Sequence, residues 1–247
     1  MILLYALGRE QDKRPQITLP PGVQETVVEQ AAQGAVAAFY STLDTLPTEA
    51  AAIQRAALDF FAVQQSLFAE ATIVPFRFPA IVADAAALRA FLETHRQRAL
   101  ADLEHLAGRA QVKILVAGPH HHNQVQPPEP HSAASPKPAP APASGGDYLR
   151  QRKQEADALG DFARRIEDAA GAAAEWKKRE QRNRLQMYAL VPRGQVAGLV
   201  AQAKVAAEAS GASVTTSGPW PPSEFVSAYS SGERAAEPEK EKENEKE

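Results

Sequence analysis

The chain has 247 residues, 44% of them hydrophobic, with a formal net charge of −3. It contains no cysteine, which excludes disulfides, thiolate metal sites and cysteine nucleophiles and fits a reducing, cytoplasmic setting. No apolar run approaches the roughly 20 residues of a membrane helix and no signal-type segment opens the sequence, so the expectation is a soluble protein with no membrane partner.

Ile2 to Leu7 is a continuous apolar run, short enough for a buried strand. Residues 23 to 43 read either as one helix, by their alanine content, or as a hairpin of Val27-Val28 and Ala35 to Tyr40 about Gly34, by their β-branched and aromatic residues. Thr48 is a candidate N-cap for a helix in which Ile53, Ala57, Phe60 and Leu67 recur at helical spacing. Ala71 to Val82 is strand-like but interrupted by Pro75 and Pro79, which predicts an edge or kinked strand. Within it Arg77 stands between Phe76 and Phe78; strand alternation points the arginine outward and both rings inward, and the alternative is an arginine that organises a partner surface.

Asp84 is placed to cap a helix with Leu88, Leu92, His95, Ala99, Leu103 and Leu106 on one stripe, closed by Gly108. His95 and His105 read as a packing histidine and a surface one. Val112 to Val116 is expected as the last strand of a first part. Strands flanked by two helices, with a hairpin, predict an α+β protein whose N-terminal domain, 1–117, is a ferredoxin-like α/β sandwich.

Residues 118–146 hold eight of the 19 prolines and read as a flexible linker. His120, His121, His122 and His131 lie in it; imidazoles are good metal ligands, but such a segment sets no coordination geometry, so no metal is assigned. A second α+β domain, 147–230, opens on a long helix from about Asp147 to Gln181, with Leu159, Phe162, Ile166, Ala169, Ala173 and Trp176 on a heptad-like seam. Leu185 to Val191 reads as a strand, and Val196, Leu199, Val200, Ala203 and Ala207 as one face of a helix. Residues 231–247 carry seven Glu against three Lys and one Arg, and read as a disordered charged tail.

No phosphate-binding glycine loop, nucleophile elbow or His-Glu-x-x-His helix is present, so neither an enzyme nor a cofactor is expected. The basic cluster Lys177, Lys178, Arg179, Arg182 and Arg184 is interrupted by Glu180 and reads as a solvated helix face rather than a nucleic-acid site.

The most distinctive words come last. Val214 to Thr216 is strand-like, and Gly218-Pro219-Trp220-Pro221-Pro222 follows, where three prolines remove three backbone donors and stiffen the chain around a tryptophan. The strand is therefore expected to stop there, with Trp220 either filling a core cleft or anchoring a partner; the tight backbone favours the core role. Gly218 to Pro222 followed by Phe225 resembles the C-terminal signature of the gas vesicle protein F/L family, with Ser223-Glu224 where that family usually carries Tyr-Ser. Tyr5-Ala6-Leu7, Thr72 to Phe78 and Gly146-Asp147-Tyr148-Leu149 resemble further family segments in the same order, with Pro79 in place of a usual glycine. This resemblance spans about residues 1 to 230 and favours strands over 23 to 43.

The resemblance implies an assembly or minor structural protein of the gas vesicle, a prokaryotic protein-shelled flotation organelle. Implied partners are the small, hydrophobic major shell protein, whose shell it would help nucleate or build, and other accessory gas vesicle proteins; nucleic acid and cofactors have no part. The candidate contact residues are Phe76, Arg77, Phe78, Tyr148, Gly218, Pro219, Trp220, Pro221, Pro222 and Phe225. The residues alone leave a second reading, a ferredoxin-like small-molecule-binding or enzymatic domain fused to a helical module, which a pocket with perturbed titratable groups would mark.

Overall fold

The computed structural model describes residues 1–10, 19–117, 145–181, 184–210 and 213–229. In chain order the elements are β1 (Ile2–Arg9), β2 (Glu29–Gln33), β3 (Val36–Thr42), α1 (Ala50–Glu70), β4 (Val74–Pro75), β5 (Ile81–Val82), α2 (Ala85–His105), β6 (Arg109–Ala117), α3 (Gly145–Ala170), β7 (Glu175–Gln181), β8 (Arg184–Pro192), α4 (Val196–Ser210) and β9 (Ser213–Trp220). The fold is α+β, with two antiparallel sheets. The chain divides into two compact units: Met1–Ala71 and Phe76–Leu103 with the chain from Ser227, and Thr72–Pro75 with Glu104–Val226. The linker and tail of the sequence reading lie outside the described residues, apart from Gly145 and Gly146, which open α3.

In the first unit β1 is buried along Ile2 to Leu7 on both faces, which is why it reads as an unbroken apolar run. β3 pairs along its whole length, from Ile2 with Thr42 to Arg9 with Val36, and β5 joins Ile2 and Leu3. β2 and β3 form a hairpin, with Gly34 at a φ of 63° in the turn, its first strand being Glu29–Gln33 and not the expected Val27-Val28. α1 buries Ala56, Phe60, Val63, Gln64, Leu67 and Phe68, and the Phe60 ring lies 5.0 Å from that of Tyr5. The expected stripe is displaced at its start: Ile53 is 40% exposed, and the helix is preceded by Glu49 with no side-chain cap, so Thr48 does not cap it. Asp84 does cap α2, its Oδ1 accepting the Ala86 and Ala87 N–H groups at 2.9 Å.

One polar side chain ties this core together. Gln64, buried on α1, donates through Nε2 to the Tyr5 carbonyl at 2.6 Å and the Phe76 carbonyl at 2.8 Å. The phenol of Tyr5 in turn donates to Ser41 Oγ at 3.0 Å and accepts the Val23 N–H at 2.9 Å. A helix, a strand and the segment before β5 thus share one hydrogen-bonded set in an otherwise apolar interior.

The second unit runs β6-α3-β7-β8-α4-β9, the β-α-β-β-α-β order of a ferredoxin-like unit, with strands ordered β7-β8-β6-β9. That arrangement, expected of residues 1–117, is therefore traced by the second unit. β6, expected to close the first part, pairs from Arg109 with Pro192 to Ala117 with Arg184 on β8, and with β9 on its other edge. Ala110, Val112, Ile114 and Val116 are fully buried, and α4 packs on both β6 and β9. The long helix ends at Ala170 and not Gln181, because Gly171 adopts a left-handed φ of 67° and its N–H bonds the Glu167 carbonyl at 3.1 Å. Ala173 and Trp176 only happened to continue the helical spacing; Trp176 lies in β7.

Replacing Gln64 with leucine, of similar volume, leaves two buried carbonyls without their donor. The Gln64→Leu variant should lose about 1–3 kcal/mol in urea unfolding, with the fold retained by circular dichroism.

Candidate functional site

β9 and β7 are the two edges of the second sheet. β9 does not stop at Thr216; it continues through Gly218 and Pro219 to Trp220, which an edge position permits because an edge strand leaves one row of donors unused. Its register against β6 shifts between Gln111 and Lys113, so that Trp220 falls opposite Gln111. Gly218 is required at this shift: its φ is 137°, and a Cβ there would lie 2.8 Å from the Gln111 carbonyl oxygen and 3.4 Å from Trp220 Cδ1.

Past Trp220 the chain folds over one face of the sheet. Pro221 and Pro222 are buried, and the N–H groups of Ser223 and Phe225 return to the carbonyls of Pro221 and Pro222 at 2.8 and 3.0 Å. The buried amide of Gln111 accepts the Glu224 N–H on Oε1 at 2.9 Å. From the far edge, Arg179 of β7 pairs with the Glu224 carboxylate at 2.6 Å, and Lys177 donates to the Glu224 carbonyl at 2.7 Å. Lys177 Nζ also stands 5.3 Å from the ring of Phe225, which is buried, and the Arg179 guanidinium 5.6 Å from the ring of Tyr188. Lys178, pointing to the other face by alternation, pairs with Glu167 of α3 at 2.6 Å. Lys177, Lys178 and Arg179 thus lie on a strand whose alternate side chains serve two faces, not on a solvated helix face; Arg184 opens β8, and Arg182 lies outside the described residues. The sequence reading missed Glu224 and Gln111; the polar pair Ser223-Glu224 after a proline-locked aromatic was the available signal.

Trp220 itself is 42% exposed, so it is not the core filler the sequence favoured; the buried aromatic of the motif is Phe225. Tyr148 lies in α3, its side chain outside the described residues.

Phe76, Arg77 and Phe78 belong to the first unit. Arg77 is exposed, while Phe76 packs 5.9 Å from Phe91 and Phe78 packs 5.4 Å from Phe60; the three lie between β4 and β5 and in neither, the stretch expected as one strand from Ala71 to Val82 being only these two short strands. Phe76 also meets Tyr229, at 5.8 Å. Asp102 of α2 accepts the Ser227 N–H at 3.1 Å, Ser227 Oγ at 3.0 Å and the Tyr229 phenol at 2.7 Å, and Arg98 donates to the Ala228 carbonyl at 2.8 Å. His95 completes the setting, 5.5 Å from Tyr229 and 4.6 Å from Phe91. Burial foremost, then the hydrogen bond to Asp102 and that carboxylate's charge, push the Tyr229 phenol well above its ordinary range against a smaller opposing pull from Arg98.

Surface clefts of about 600 and 720 Å³ in the first unit and 420 Å³ in the second have no histidine, serine or cysteine in their linings. Among the described residues no group of three or more His, Asp or Glu side chains is placed to hold a metal, and no helix is long and apolar enough to cross a membrane.

The sequence model of a family described as gas vesicle synthesis protein GvpL/GvpF matches residues 1–227. The chain belongs to the GvpL/GvpF family. Membership gives it a gas-vesicle-related role. Two solved structures share its fold: the gas vesicle protein GvpF from Anabaena sp. PCC7120, with a TM-score of 0.70 at 14% identity over 93% of this chain and 98% of that one, and GvpF from Microcystis aeruginosa, with a TM-score of 0.67 at 11% identity over 92% and 99%. A search of curated proteins found no match.

The geometry of this GvpL/GvpF motif separates two aromatics. Phe225→Ala should cost about 3–5 kcal/mol as a buried ring deletion, whereas Trp220→Ala should cost less than about 1 kcal/mol, both read by denaturant unfolding. Tyr229 yields a pH signature. Its raised native pKa makes the docked, protonated phenol fully stabilising below the unfolded value of 10.0, and the contribution declines as pH rises above that value because only the unfolded chain ionises. The gap in melting temperature between the natural protein and Tyr229→Phe should therefore narrow above pH 10.0.

Proposed function

We propose that this protein is an assembly or minor structural component that binds the major gas vesicle shell protein and helps nucleate or build the shell. The family match over residues 1–227 carries this reading. The motif supplies a contact consistent with it: Trp220 is half-exposed beside two buried prolines, on a backbone fixed by β6. An aromatic already held in place binds with little further loss of conformational freedom, which is the character of a binding anchor. The work assigned is adhesion and positioning, with no catalytic step. The remaining candidates, Arg77 and Tyr148 among them, are secondary contacts in this reading, and other accessory gas vesicle proteins are further partners.

Affinity-tagged protein should capture the major shell protein. Trp220→Ala should weaken that capture by about 2 kcal/mol, roughly 30-fold, while its unfolding curve stays close to the natural one. Failure of the natural protein to capture the shell protein would overturn the proposal.

A further inference from the structure

Residues directly opposite one another in a sheet share a face, and one face of the second sheet is taken up by the buried side chains of β6 and by α4. The other face carries successive rows across the strands. Lys177, Tyr188 and Lys113 stand opposite one another in the first row, Arg179, Gln186 and Leu115 in the second. Arg184, opposite Ala117, lies in the row beyond. Four cations thus share this face, and no strand residue in these three rows is acidic. The carboxylates at the near end of the face are already engaged: Glu175 pairs with His105 at 2.9 Å, and Glu224 with Arg179.

Lys113 is the unusual member of the set. It stands half-buried on a central strand, and its ammonium has neither an ion-pair nor a hydrogen-bond partner among the described residues; the same holds for the Arg184 guanidinium. A half-buried cation without a counter-charge loses hydration with no compensating attraction, an imbalance that an anion removes. Glu224 shows what the face accepts. It is an acidic residue of an irregular segment, with its carboxylate on Arg179 at 2.6 Å and its carbonyl on Lys177 at 2.7 Å.

The chain carries a segment of matching chemistry. Residues 233–247 hold seven Glu, and six of them, Glu237, Glu239, Glu241, Glu243, Glu245 and Glu247, fall at every second position. In an extended backbone such residues stand on one side at intervals of about 7 Å, the interval at which Lys177 and Arg179 recur along β7. Lys240, Lys242 and Lys246 take the opposite side. Residues 230–247 reach about 60 Å when extended. We infer that this sheet face binds the acidic C-terminal segment, residues 233–247, in extended form, with its glutamates on Lys113 and Arg184. A nucleic acid fits less well, because Tyr188, the ring at the centre of the face, is buried and gives a base no surface to stack on.

A water-soluble carbodiimide condenses a carboxylate with an amine in contact with it, losing water to form an amide. In the natural protein it should join Lys113 to glutamates of residues 233–247, as read by mass spectrometry, and about 0.5 M salt should suppress the link. Failure of Lys113 to link, in a sample where the segment's own lysines and glutamates do, would overturn the inference. A full-length variant with the six alternate glutamates changed to glutamine should bind an added peptide of residues 231–247 roughly 10-fold more tightly than the natural protein, whose own segment competes. In that variant Lys113→Gln and Arg184→Gln should each weaken the peptide by roughly 3-fold with unchanged circular dichroism. Equal binding by the natural and six-glutamine chains would count against the segment as occupant, and equal binding of a peptide with its glutamates gathered in one block would count against the extended form. A single-stranded oligonucleotide that binds more tightly than the peptide, and is weakened by Lys113→Gln, would assign the face to nucleic acid instead.

Discussion

The second sheet exists only because β6 is bonded on both edges. Its alternate residues Ala110, Val112, Ile114 and Val116 have no solvent-facing option, so the strand must be flanked by others, and β8 and β9 supply the two ladders. The same strand then organises the motif. At Gln111 the backbone sits opposite Trp220 while the side chain holds Glu224, so one residue sets both where the edge strand ends and where the following turn lies. A constraint built into a central strand is transmitted to an exposed aromatic without any further element in between.

Much of the local structure was legible because local chemistry decides it. Asp84 caps α2 as its side chain dictates, Gly34 turns the hairpin, and the apolar run of β1 is buried on both faces. Three features resisted. The end of α3 was hidden because Ala173 and Trp176 continue the helical spacing past Gly171, and only the backbone dihedral reveals the stop. β6 was placed with the wrong partners because an apolar strand does not encode which strands it pairs with, and the proline-rich stretch after it looked like a boundary between domains. Trp220 was read as buried on the strength of its prolines; they and Phe225 are buried, and the indole is left half in water.

That division of labour explains why an ion pair belongs at Glu224. The turn over the sheet has few backbone donors of its own, since Pro219, Pro221 and Pro222 contribute none. Its hold on the far edge of the sheet comes from side chains: Lys177 to the Glu224 carbonyl and Arg179 to a carboxylate that is only 13% exposed. Partial burial on one side makes this contact stronger than an ordinary surface pair and less sensitive to salt. The residue that departs from the family's usual Tyr-Ser is thus the one on which this chain's basic strand closes.

The family match ends at residue 227, yet the fold uses the next two residues. Tyr229 covers Phe76 and Phe91 and occupies one oxygen of Asp102, and the Ala228 carbonyl engages Arg98. An expression fragment trimmed to the matched segment would therefore begin life with two uncovered phenylalanine rings and a nearly buried carboxylate short of its phenolic donor, a surface prone to self-association. The natural place to end a recombinant fragment is beyond Tyr229.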